Sequence, residues 1–176
     1  IVIAAAKPSA SDPVVNIAGF TNVLGNGHID ADTNGFIDLT ETTGDFRVGR
    51  IMSRASDVTL TAADGSILDA PTGAPADPAA GDPASDVLGN NISLFARNGA
   101  IGRDTNFLEI DSSLSGRGTL AALARNNIFI DESAGDLSLD TVESTAASVW
   151  LRAESGSILD ANPRTTSTGQ DDFNIR

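Results

Sequence analysis

A chain of 176 residues with 40% hydrophobic content is long enough to bury one sizeable domain and is not disordered by composition. Its 24 acidic and 11 basic residues leave a formal charge of -13, which repels phosphate backbones and anionic headgroups and argues against nucleic-acid and membrane-surface partners. The absence of Cys excludes disulfides and thiolate metal sites, and seven Phe, one Trp and no Tyr leave small aliphatics to fill the interior. No apolar run is long enough to insert in a membrane, and the chain opens with neither Met nor a charged-then-apolar leader, so the expectation is an internal piece of a longer exported protein.

Ile1, Ile3 and Ala5 alternate as the first predicted strand. TNVLGNGHI (21–29) has two Gly and no helical face. DADTNGFIDLTE (30–41) then spells a calcium loop on paper, with oxygen-bearing residues at positions 1, 3, 5, 9 and 12 and Gly35 at position 6. The ligands would be Asp30, Asp32, Asn34, the Phe36 carbonyl, Asp38 and Glu41. The other reading is a turn at Asn34–Gly35 between two strands, with Ile29, Ala31, Ile37 and Leu39 on one face and the three Asp facing water.

Farther along, GDFRVGRI (44–51), VTLTAADGSI (58–67), ISLFARNGAI (92–101), GDLSLDTV (135–142) and VWLRAESGSI (149–158) are short strands, most of them closed by a Gly bend. Between them PTGAPADPAAGDPA (71–84) is too rich in Pro for a central strand and is expected to bulge outward as a loop. No stretch sustains a helical period with a cap and a stop.

These phrases repeat. Residues 37–70 align without a gap to 128–161 at an offset of 91, with 15 of 34 positions identical, and the same offset carries Ile1, Ile3 and Ala5 onto Ile92, Leu94 and Ala96. The chain is therefore one unit of residues 1–91 followed by a second of 92–176, forming a single domain. Short strands, glycine corners and similarity at two length scales predict an all-β solenoid, with Val58, Leu60, Ile67, Val149, Leu151 and Ile158 in stacked interior rows. About eight coils at roughly 4.8 Å each would make a rod of about 40 Å.

GSILDA, GDLSLDTVES, NISLFARNGAIG and NFLEID resemble the coils of filamentous haemagglutinin-like adhesins and giant bacterial surface proteins. The resemblance implies a right-handed parallel β-helix, export to the bacterial cell surface, and an adhesive or structural role without catalysis in the repeats.

The second unit serves as a control for the calcium motif. Ile37 and Glu41 recur as Ile128 and Glu132, whereas Asp30, Asp32, Asn34 and Asp38 become Ala121, Leu123, Arg125 and Phe129, so the fold needs at most the Ile and the Glu. Asp69 and Asp160, like Asp45 and Asp136, sit at repeated corners where Asp caps its own backbone. His28 is the lone His, with no nucleophile beside it, and carries no triad. A β-helix polysaccharide lyase or glycosidase would need a carboxylate cleft, for which Asp104 with Arg103, or Asp111 with Glu109, are the candidates.

Trp150 should point to solvent, half-covered by Arg152, where it could contact a sugar or another chain. The expectation is a non-enzymatic, secreted adhesive stalk with no required cofactor beyond an optional calcium ion. It would be partnered by further repeats, by itself end to end, or by host or matrix carbohydrate or protein. A self-assembling filament subunit and the lyase are the alternatives.

Overall fold

The computed structural model describes residues 2–4, 14–70, 85–114, 116–162 and 175. The loop expected at 71–84 lies outside them. Fifteen strands follow one another: β1 (Val2–Ala4), β2 (Ile17–Thr21), β3 (Ile29–Thr33), β4 (Ile37–Glu41), β5 (Phe46–Ser53), β6 (Val58–Ala62), β7 (Ile67–Asp69), β8 (Val87–Leu88), β9 (Ile92–Ala96), β10 (Leu108–Asp111), β11 (Leu120–Ala124), β12 (Ile128–Glu132), β13 (Leu137–Ser144), β14 (Val149–Ala153) and β15 (Ile158–Asp160). Among the described residues there is no helix. The strands alternate between two parallel sheets, one running β1-β3-β5-β8-β10-β12-β14 with β7 beside β5, the other β2-β4-β6-β9-β11-β13-β15. The result is a β-solenoid of about 6 turns.

Period-two alternation decides which residues enter the interior. In β4, β6, β9 and β11 the first, third and fifth residues are buried, and the paired register stacks Ile37, Val58, Ile92 and Leu120 in one row and Leu39, Leu60, Leu94 and Ala122 in the next. The third row holds Thr21, Glu41, Ala62, Ala96 and Ala124, so one carboxylate lies among small apolar groups. Glu41 is fully buried and satisfied, accepting from the Thr21 hydroxyl at 2.8 Å and the Val23 amide at 3.1 Å. Its counterpart Glu132 accepts from the Ser112 amide at 2.8 Å and hydroxyl at 2.7 Å. The Glu retained in both units is therefore an internal fastener between adjacent coils.

Three expectations change. The coils number about 6 rather than eight, a stack of about 29 Å. One reason is that the circuit from Val58 to Ile92 takes 34 residues where that from Ile37 to Val58 takes 21, because residues 71–84 are inserted in it. The two sequence units also exchange sheets: β2, β4 and β6 belong to the seven-stranded sheet, yet their counterparts β10, β12 and β14 belong to the other. An offset of 91 residues thus spans a half-integral number of turns. Finally, Val58, Leu60 and Ile67 fill the interior, but Val149 and Leu151 are only half-buried and Ile158 is 46% exposed, since β14 and β15 form the last described rung.

Candidate functional site

The eight-stranded sheet opens twice at the same place. β7 pairs with Phe46–Val48 and β8 with Ile51 and Met52, so the two are halves of one rung parted by residues 70–86. On the next rung Ile101 and β10 are parted by residues 102–107, where Arg103 and Asn106 bridge antiparallel to each other. Parallel register then places one outward polar residue per rung. The Asp86 amide donates to the Glu109 carbonyl at 2.9 Å, Glu109 lies opposite Asp131, and Asp131 opposite Arg152.

Three of these four residues are acids, and all three are buried. Asp69, Asp86 and Glu109 each bring an oxygen within 4.8 Å of the others, the only such group of three metal-ligating side chains among the described residues. Asn106 donates its Nδ2 to Asp69 at one side. Charges this close in a low-dielectric setting must be neutralised, by protons or by a cation. Burial, followed by the charges of Asp69 and Glu109, pushes Asp86 up to about 9, and burial likewise raises Glu109 to about 7. The row ends at Arg152, whose Nε donates to Asp131 Oδ2 at 2.6 Å and whose guanidinium is held charged by that bond. Asp131 is 0% exposed, and its Oδ1 accepts no hydrogen bond.

Beside the acids runs an aromatic ladder. Phe129 and Trp150, opposite each other in register, stack with centroids 4.4 Å apart and planes at 7°, and Phe107 tilts against Phe129 at 5.3 Å. Trp150 is 43% exposed. Arg152 covers Phe107, at 5.3 Å from its centroid, rather than the Trp150 expected from the sequence, because its bond to Asp131 draws the guanidinium back along the row.

The calcium-like stretch takes a different form. β3 and β4 lie in opposite sheets, so residues 30–41 turn a corner of the coil, and the candidate ligands do not form one of the clusters with ligand spacing. Asp32 is held bidentately by Arg54 at 2.8 and 2.6 Å; Asp30 accepts from the Arg50 amide at 3.0 Å and meets His28 at 3.2 Å. Asn34 Oδ1 accepts from the Val15 amide, the Phe36 carbonyl from the Ile17 amide, and Glu41 is the internal fastener, while Asp38 is exposed. Gly35 has its own reason to be glycine: a side chain there would overlap the Val15 carbonyl of the adjacent coil.

The other sequence candidates also scatter. Asp104 and Arg103 are exposed on the short turn, Asp111 accepts from the Ser113 amide at 2.9 Å, and Glu109 is paired with Asp86 instead of Asp111. Asp45 and Asp136 accept from Ser66 and Ser157 on the following coil rather than from their own turns, whereas Asp160 caps Asn162 two residues on.

Sequence reasoning missed Asp86 and Asp131. The available signal was a spacing of one coil: Asp86, Glu109, Asp131 and Arg152 are 23, 22 and 21 residues apart, and Phe107, Phe129 and Trp150 are 22 and 21 apart. Comparisons with protein-family models, curated proteins and solved structures yield no match.

Proposed function

We propose that the chain is a segment of the adhesive stalk of a large repetitive bacterial surface protein, exported from the cell, with its contact face on the eight-stranded sheet beside the two openings. The observation that carries this reading is the alignment of Phe107, Phe129, Trp150 and Arg152 in ladders at coil spacing, next to the place where two successive rungs depart from the sheet. A rigid stack of coils holds such a face at a fixed height. Repetition along a longer protein then converts weak contacts with host or matrix carbohydrate or protein into avidity.

The raised carboxyl pair Asp86 and Glu109 favours a second reading, a β-helix enzyme acting on polysaccharide. Against it, an acid–base pair must meet its substrate, and both side chains are more than nine-tenths covered.

Retention of the purified protein on immobilised polysaccharides and matrix proteins separates the two. The expected result is retention that falls tenfold or more, about 1.4 kcal/mol, in Trp150→Ala or Arg152→Ala without release of shortened chains. Retention indifferent to both substitutions overturns the stalk's proposed contact face; depolymerisation lost in Glu109→Gln establishes the enzyme.

A further inference from the structure

The fold treats its buried carboxyls in two ways. In the interior, both oxygens of Glu41 and both of Glu132 are matched by amide and hydroxyl donors of the preceding coil. On the outer face of the eight-stranded sheet the acceptors outrun the donors. Asp69 closes β7, Asp86 stands just before β8 and Glu109 lies on β10, so the interrupted rung and the strand beside it bring three carboxyls together, one oxygen of each within 4.8 Å of the others.

Two more oxygens flank this group, and both lack donors. Asp131, opposite Glu109 on the next rung, is wholly buried. Arg152, on the rung beyond, takes its Oδ2, which leaves the unmatched Oδ1 toward Glu109, where the Asp131 charge is felt. Asn106 turns its Nδ2 to Asp69, and its buried Oδ1 accepts from nothing. A fold that supplies donors to Glu41 and Glu132 leaves these acceptors bare, and four carboxyls face one guanidinium. Buried acceptors without donors are costly unless a cation meets them.

We infer that Asp69, Asp86 and Glu109, flanked by the unmatched oxygens of Asp131 and Asn106, hold a calcium ion that ties the two ends of the interrupted rung to the rung beside it. The donors are all oxygen, the preference of a hard cation. The span suits calcium: opposite ligands at about 2.4 Å from an ion stand about 4.8 Å apart, the reach of this group, whereas magnesium at about 2.1 Å draws them to about 4.2 Å and keeps much of its water. The site is separate from residues 30–41, where Arg54 already holds Asp32. Its place in the fold gives it a task. β8 has a ladder of just two residues on either side, and the ion fastens it to β7 and β10 across residues 70–86. Binding displaces the protons that Asp86 and Glu109 carry in the ion-free chain.

Calorimetric titration with calcium chloride in about 0.15 M salt, and melting midpoints in calcium and in EDTA, test the site. The expected result is one ion per chain with a Kd of about 1 mM or tighter, a midpoint several degrees higher in calcium, and slower hydrogen exchange at β7 and β8. Asp86→Asn and Glu109→Gln keep the shape of each side chain and remove its charge. In EDTA they should melt no lower than the parent, yet lose tenfold or more in calcium affinity. Asp38→Asn, in the 30–41 stretch, should bind as the parent does. A parent whose midpoints superimpose, a shift that magnesium matches, or Asn and Gln variants that bind at parental affinity overturn the inference. Variants that melt well below the parent in EDTA overturn it too, because the carboxyls would then be structural hydrogen-bond partners rather than ligands.

Discussion

At the scale of single residues, the unusual feature is how many carboxyls are buried, and for opposite reasons. Glu41 and Glu132 sit in the interior because hydroxyl and amide donors of the preceding coil await them, and that Glu recurs in the sequence. Asp86 and Glu109 are buried on the outer face with each other and Asp69 for company, and nothing in either unit alone announces this. The difference has a pH signature. In the unfolded chain Asp and Glu ionise near pH 4, about 3.9 and 4.3. Burial holds Asp86 up to about 9 and Glu109 and Glu132 up to about 7 in the fold. Over that window the native state retains protons that the unfolded chain has released, so stability from these groups is full below the unfolded values and is withdrawn as pH rises through 7 and then 9. The melting midpoint should fall between pH 5 and pH 9. Asp86→Asn should flatten the upper part of the profile; a midpoint that climbs with pH across the window contradicts the assignment.

At the scale of the element, the corner matters more than the strand. Strand identity was legible from alternation, and Val58, Leu60 and Ile67 lie where alternation places them. The corner glycines were legible as bends, but the reason for them lies in the preceding coil. A side chain at Gly65 would overlap the Gly44 carbonyl, one at Gly99 the Gly65 carbonyl, and one at Gly156 the Gly135 carbonyl. Gly19, by contrast, has open space around the position of a side chain and no left-handed φ. Gly99→Ala should therefore cost about 2 kcal/mol or more, while Gly19→Ala stays within about 0.5 kcal/mol of the parent. Urea unfolding of the two variants checks this, and equal losses would remove close coil packing as the explanation.

At the scale of the whole molecule, each rung touches only its neighbours, so protection should follow distance from the ends. Native-state hydrogen exchange should be slowest at β6, β9 and β10, in the middle of the stack, and fastest at β2, β14 and β15. Uniform protection would indicate a single cooperative block instead. The sequence by itself determined that the chain is an all-β solenoid, which residues of the inner rungs face inward, and where the corners fall. All of these follow from period-two alternation and local turn chemistry, which a short window contains. Only the tertiary structure decided that the units exchange sheets, that Asp69, Asp86 and Glu109 converge, that Arg152 turns to Asp131 rather than Trp150, and that the calcium-like motif spreads its oxygens around a corner. The physical reason is that contacts between coils depend on the length of each circuit, which runs from 20 residues between Ile17 and Ile37 to 34 between Val58 and Ile92.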